Sequence, residues 1–92
     1  MVERALWLHD RTVLAIITWG SSGCPPVPVK IEVPTKQTIA VTFVKSPHEV
    51  CTMDYAPTTH EFPVPQGIDP NRKTTVKLDL PDEKHPTLTV EG

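Results

Sequence analysis

Ninety-two residues make one domain, spanning 1–92, near the lower limit at which a single hydrophobic core sustains a fold. With 38% hydrophobic and 22% charged residues the chain has the makeup of a folded domain, and its eleven prolines argue against long helices, since each removes a backbone donor and fixes φ. The net charge of -2 comes with no basic run beyond Arg72-Lys73, so the clustered Lys and Arg that displace counterions from nucleic acid are missing and no nucleic-acid partner is expected.

From the N-terminus the chain reads as strands. Ala5 to His9 (ALWLH) and Thr12 to Trp19 (TVLAIITW) flank the polar turn HDRT and predict a hairpin. The second segment is apolar on both faces, as in a central strand. Its run Val13 to Ile17 is the longest apolar stretch and is too short to cross a bilayer, so no transmembrane segment is expected in this chain. Val27 to Val33 alternates, setting Val27, Val29, Ile31 and Val33 on one face, and Pro28 marks the segment as an edge strand or the site of a bulge. After the turn PTK, Gln37 to Val44 turns Ile39, Val41 and Phe43 inward. Glu49 to Tyr55 (EVCTMDY) is expected as a further strand with Cys51, Met53 and Tyr55 on the inner face. Thr59 to Pro65 groups His60, Phe62 and Val64, with Pro63 marking a second edge. The turn-rich QGIDPNRK leads to Thr74 to Leu80, which directs Val76, Leu78 and Leu80 inward, and Thr87 to Val90 closes the chain with Leu88 and Val90. Seven to eight short strands at roughly ten-residue spacing predict an all-β fold, an antiparallel β-sandwich.

The stretch TWGSSGCPPVP concentrates the residues that could carry chemistry. A nucleophile elbow needs Gly-x-Ser-x-Gly between a strand and a helix; GSSG is one residue short, and prolines follow where the helix would begin. Ser21 and Ser22 read instead as turn residues whose hydroxyls bond nearby backbone. Cys24 lacks the helix N-terminus or basic cluster that would make it a reactive thiolate. With Cys51 it forms the single possible disulfide; the alternative is two buried free thiols in a reducing compartment. Trp19 has two readings. It packs on the bridge as part of the core, or it forms with Ser21 and Ser22 a contact site for a partner. The histidines His9, His48, His60 and His85 match no short zinc spacing, and His48 to Cys51 supplies one His-x-x-Cys pair with nothing to complete it, so no metal or other cofactor is expected. Asp82-Glu83 sits in a polar turn and is not a recognisable acid–base pair.

TWGSSGCPPVP together with CTMDYAPTTHEFPVP, 26 of the 92 residues, resembles a group of small Ig-like domains of Gram-positive cell-envelope and secreted proteins. The resemblance implies an Ig-like sandwich outside the cytoplasm, carries no activity, and supports the Cys24–Cys51 bridge. An antibody-type domain places a Trp between its cysteines, whereas here both Trp7 and Trp19 precede them, which leaves the strand order open. No basic n-region leads into an apolar h-region after Met1, so the chain is either cytosolic or the mature segment of an exported protein. The expected function is that of a non-catalytic extracytoplasmic module with a binding or structural role in the cell envelope and a protein or envelope partner. The alternative is a small-ligand or metal-binding protein that uses its surface histidines.

Overall fold

The first hairpin forms where alternation and turn chemistry place it. In the computed structural model, which describes residues 3–47, 50–81 and 84–90, β1 (Arg4–Leu8) pairs antiparallel with β2 (Val13–Gly20), Leu8 opposite Val13. Their connection is tight: His9, Asp10 and Arg11 all take positive φ (50°, 55° and 64°), and Thr12 closes the turn by donating its hydroxyl to the His9 carbonyl at 2.7 Å. Left-handed backbone costs a residue with a Cβ about 1–2 kcal/mol. Exposed Arg11 is therefore a site where Arg11→Gly is expected to raise stability by about 0.5–1 kcal/mol, read as a shifted urea midpoint at constant slope.

Five further strands follow among the described residues: β3 (Val27–Thr35), β4 (Thr38–Val44), β5 (Ala56–Pro63), β6 (Thr74–Asp79) and β7 (Thr87–Val90). They build two sheets, one ordered β1-β2-β5 and the other β3-β4-β6-β7, so the chain is an all-β sandwich. Each sheet turns its alternate apolar residues to the other. Leu14 and Ile16 of β2, Ile39, Val41 and Phe43 of β4, Val76 and Leu78 of β6 and Val90 of β7 form the core, with Trp7 and Phe62 packed against it. As expected of a central strand, β2 has neighbours on both sides and buries Ala15 on its outer face as well. Among the described strands β4 and β6 alone run parallel, because the chain leaves after β4 to build β5 in the other sheet before returning as β6.

Two expectations from alternation need correction. β3 is an edge strand, as Pro28 signals, but its three valines and one isoleucine do not share one face. A register shift between Pro28 and Lys30 inserts Val29 as an extra residue and reverses the phase. Val27 pairs with outward Val44, whereas Ile31 pairs with inward Val41. Ile31 is nevertheless 37% exposed. Phe43 of β4 meets His60 of β5, and β1 adjoins β7, so three strands lie over β7, β6 and β4 and leave β3 overhanging. The second correction concerns residues 50–55, which are not a strand: Cys51, Met53 and Tyr55 are all exposed rather than inward. Glu49, the start of that expected strand, lies outside the described residues.

At the opposite end of β3, Gln37 sits at φ 55° in the β3–β4 turn and ties down the β5–β6 connection. Its amide donates to the Asp69 carbonyl and to Thr74 Oγ1, both at 3.0 Å, and its oxygen accepts from Asp69 N–H at 2.7 Å. Buried Thr74 donates its own hydroxyl hydrogen bond to the Arg72 carbonyl at 3.1 Å, so its hydroxyl is satisfied inside the core.

Candidate functional site: the disulfide-clamped end

Strand direction gathers the chemistry-bearing residues at one end of the sandwich. The β2–β3 connection, residues 21–26, emerges there beside residues 45–47 and 50–55, which follow β4, and the start of the β6–β7 connection. Cys24 and Cys51 join the first two as a disulfide with their Cα atoms 5.2 Å apart and a separation of 27 in sequence. Exposed Cys51 and half-buried Cys24 make this a bridge between two loops, not between a loop and the core.

Hydrogen bonds run alongside the bridge. Thr52 donates its hydroxyl to Asp54 Oδ1, and Ser22 N–H reaches the same oxygen at 3.1 Å. With its proton committed, Thr52 Oγ1 accepts from Ser21 Oγ at 2.9 Å and from Gly23 N–H at 2.9 Å. Hydrogen bonds from the Ser22 hydroxyl, the Thr52 hydroxyl and the Ser22 backbone, in that order, hold the exposed Asp54 carboxyl down to about 2. The tie is therefore complete above the unfolded carboxylate range and loosens as pH falls toward 2. Gly23 has a steric reason to be glycine: a Cβ there would lie 3.0 Å from the Thr52 nitrogen and 3.1 Å from its hydroxyl oxygen. The corner is a knot. Ser21 and Ser22 direct their hydrogen bonds to Thr52, Asp54 and the corner's own backbone, an arrangement that holds two loops together.

Trp19 lies at the end of β2, partly exposed, with its ring stacked on Tyr55 at 5.6 Å between centroids and 23° between planes. Met53 is fully exposed and Val50 nearly so. Beside Trp19 opens a hollow of about 380 Å³ lined by Thr18, Trp19, Cys24, Cys51, Leu80 and Lys84 among others. The sequence reading singles out Trp19, Ser21, Ser22, Cys24 and Cys51, and all five come together here. It passes over Thr52, Asp54 and Tyr55, which hold the corner from the other loop. The Thr-x-Asp spacing of Thr52 and Asp54 is the available signal, since such residues hydrogen-bond locally in loops.

The histidines are dispersed. His60 on β5 lies between the sheets, its Nε2 3.0 Å from the buried Thr18 hydroxyl and its ring edge-on to Phe43 at 4.9 Å. Burial pushes its pKa below the usual histidine value. His85 Nδ1 sits 3.2 Å from Asp79 Oδ1 at an exposed position, and His9 lies in the first turn. His48 and the Asp82-Glu83 pair fall outside the described residues. Among the described residues no three His, Cys, Asp or Glu side chains gather as a metal site, and no helix is long and apolar enough to cross a membrane. Compared with known proteins, the chain matches no family model, no curated protein and no solved structure.

Proposed function

We propose that this chain is a non-catalytic, extracytoplasmic β-sandwich module that contacts a protein or cell-envelope partner through its disulfide-clamped end. One observation carries the reading: two loops pinned by a disulfide and a charged hydrogen-bond knot present the Trp19–Tyr55 stack beside exposed Met53 and Val50. Exposed apolar side chains on a pre-ordered loop pair lower the entropy cost of binding, and aromatic residues of this kind are common interface anchors. A disulfide in so small a domain fits an oxidising compartment, and the likeness to Gram-positive envelope domains points the same way.

The reading is tested by binding to isolated cell envelopes, comparing the intact chain with Trp19→Ala and Met53→Ser. Trp19 is half-exposed, so both variants are expected to fold and to lose at least about tenfold in binding. Equal binding by all three would remove the contact site, and reduced thiols in protein taken directly from cells would remove the extracytoplasmic assignment. The hollow beside Trp19 favours a second reading, a small ligand held at the same end; of the described histidines, none of His9, His60 and His85 lines it.

A further inference from the structure

The two sheets expose four edges among the described strands, and three of them are blunted against pairing. β3 carries Pro28 and Pro34, two register shifts and the surface ion pair Lys30–Glu32 at 2.8 Å. β5 carries Pro57 and Pro63. β7 is only four residues long and follows Pro86. Prolines, bulges, charges and short length are the devices by which edge strands avoid adding a further strand. β1, Arg4–Leu8, contains no proline, pairs with β2 without a register shift, and leaves Leu6 36% exposed on the outer face.

Its free backbone groups can be assigned. The Leu8 carbonyl accepts from Thr12 N–H at 3.2 Å, so the polar groups of Leu8, and by the period of two those of Leu6 and Arg4, face β2. Ala5 and Trp7 then present N–H and C=O to the open edge. We propose that this edge pairs with β1 of a second copy of the chain, antiparallel about a two-fold axis, with Leu6 opposite Leu6 of the other copy. In that register Ala5 and Trp7 of the two copies exchange backbone hydrogen bonds, and the two Leu6 side chains meet at a non-hydrogen-bonded position, where cross-strand side chains approach most closely.

Charge complementarity selects a second copy as occupant. With Leu6 on the axis, Glu3 of each copy falls opposite His9, the first residue of the other's β1–β2 turn, while Arg4 falls opposite apolar Leu8. No like charges oppose each other. A hollow of about 420 Å³ between β1, the first turn and Thr89–Val90 leaves room on the inner side of the added strand. The pairing extends a three-stranded sheet to six strands across the dimer. The edge is five residues long, so the interface is small and the dimer weak.

Sedimentation equilibrium of the oxidised chain from roughly 10 μM to 1 mM reads the association directly. Wild type is expected to dimerise reversibly within that range. Leu6→Lys, which keeps its side chain on the solvent face and sets two cations against each other, is expected to raise the dissociation constant at least about tenfold with an unchanged circular dichroism spectrum. Cysteine cross-linking checks the register without depending on that variant. Leu6→Cys should cross-link to itself faster than Leu8→Cys does, and a mixture of Arg4→Cys with Leu8→Cys should cross-link faster than either alone. A chain that stays monomeric throughout overturns the proposal, including one that binds a foreign extended peptide at β1. So does a dimer that Leu6→Lys leaves intact, or cross-linking without this register.

Discussion

Reducing the Cys24–Cys51 bridge is expected to cost about 3–4 kcal/mol and to lower the melting midpoint by roughly 15–25 °C. The bridge encloses the whole β3–β4 hairpin, and the 27-residue separation sets the entropy that cross-linking removes from the unfolded chain. The Trp19–Tyr55 stack also ties this end together. Residues 50–55 are exposed throughout, and their remaining ties to residues 21–23 are hydrogen bonds among solvent-accessible groups, each contributing about 1 kcal/mol or less. The loss should therefore have two parts: a lower global midpoint, and release of residues 50–55 in the folded protein. Thermal melts with and without reductant measure the first, checked by the double variant Cys24→Ser/Cys51→Ser. Amide exchange at Gly23 and Ser22, whose N–H groups donate to Thr52 and Asp54, measures the second. An unchanged midpoint would mean that the hydrogen-bond knot alone sets the loop, and that the unfolded chain already holds the two cysteines close.

Most of the architecture was legible because burial writes a period of two into a strand that has one face covered. β2, β4, β6 and β7 read correctly for this reason, each having its alternate apolar residues under the opposite sheet. β3 defeated the same logic. Its alternation is continuous in sequence, but the register shift at Val29 changes which face each later residue meets, and the missing fourth strand over it removes the burial that would have marked the inner side. Residues 50–55 misled in a different way. Cys51, Met53 and Tyr55 alternate with Thr52 and Asp54, yet these two polar side chains find partners in the 21–23 corner, and the segment gains more from those bonds than from a ladder with no neighbouring strand to pair with.

The candidate site was half legible for the same physical reason. Parity pointed to Cys24 and Cys51, and small polar residues pointed to a turn at Ser21 and Ser22, because both signals are local or compositional. The partners that fix the corner, Thr52, Asp54 and Tyr55, are brought in by the crossing of two loops about 30 residues apart, as in the Ser22–Asp54 bond with its separation of 32. The parallel β4–β6 pair is likewise a property of chain routing between sheets rather than of either strand's own sequence.

The second large effect lies where the sheets meet. Phe43→Ala is expected to cost about 3–5 kcal/mol, since the ring is 3% exposed and sits among core residues of both sheets. It should also change how stability depends on pH. Phe43 packs edge-on against His60, whose pKa is lowered by burial. In the unfolded chain His60 takes up a proton near its ordinary value of about 6.5, while the folded chain resists protonation to a lower pH. The unfolded state therefore binds more protons within that window, so His60 leaves stability unaffected above about pH 6.5 and lowers it as pH falls from there toward the folded value. Removing the ring admits water to the imidazole, moves its pKa back up and narrows the window. Urea midpoints between about pH 5 and pH 8 should therefore converge less steeply toward zero in Phe43→Ala than in wild type, and the His60 ring resonance should titrate at higher pH. Ile39→Ala provides the control, because it deletes a fully buried side chain four residues away on the same strand and should cost about 2–5 kcal/mol while leaving the His60 titration where it was. If both variants shift His60 equally, its depressed pKa belongs to the packing of the whole sandwich and not to the ring that faces it.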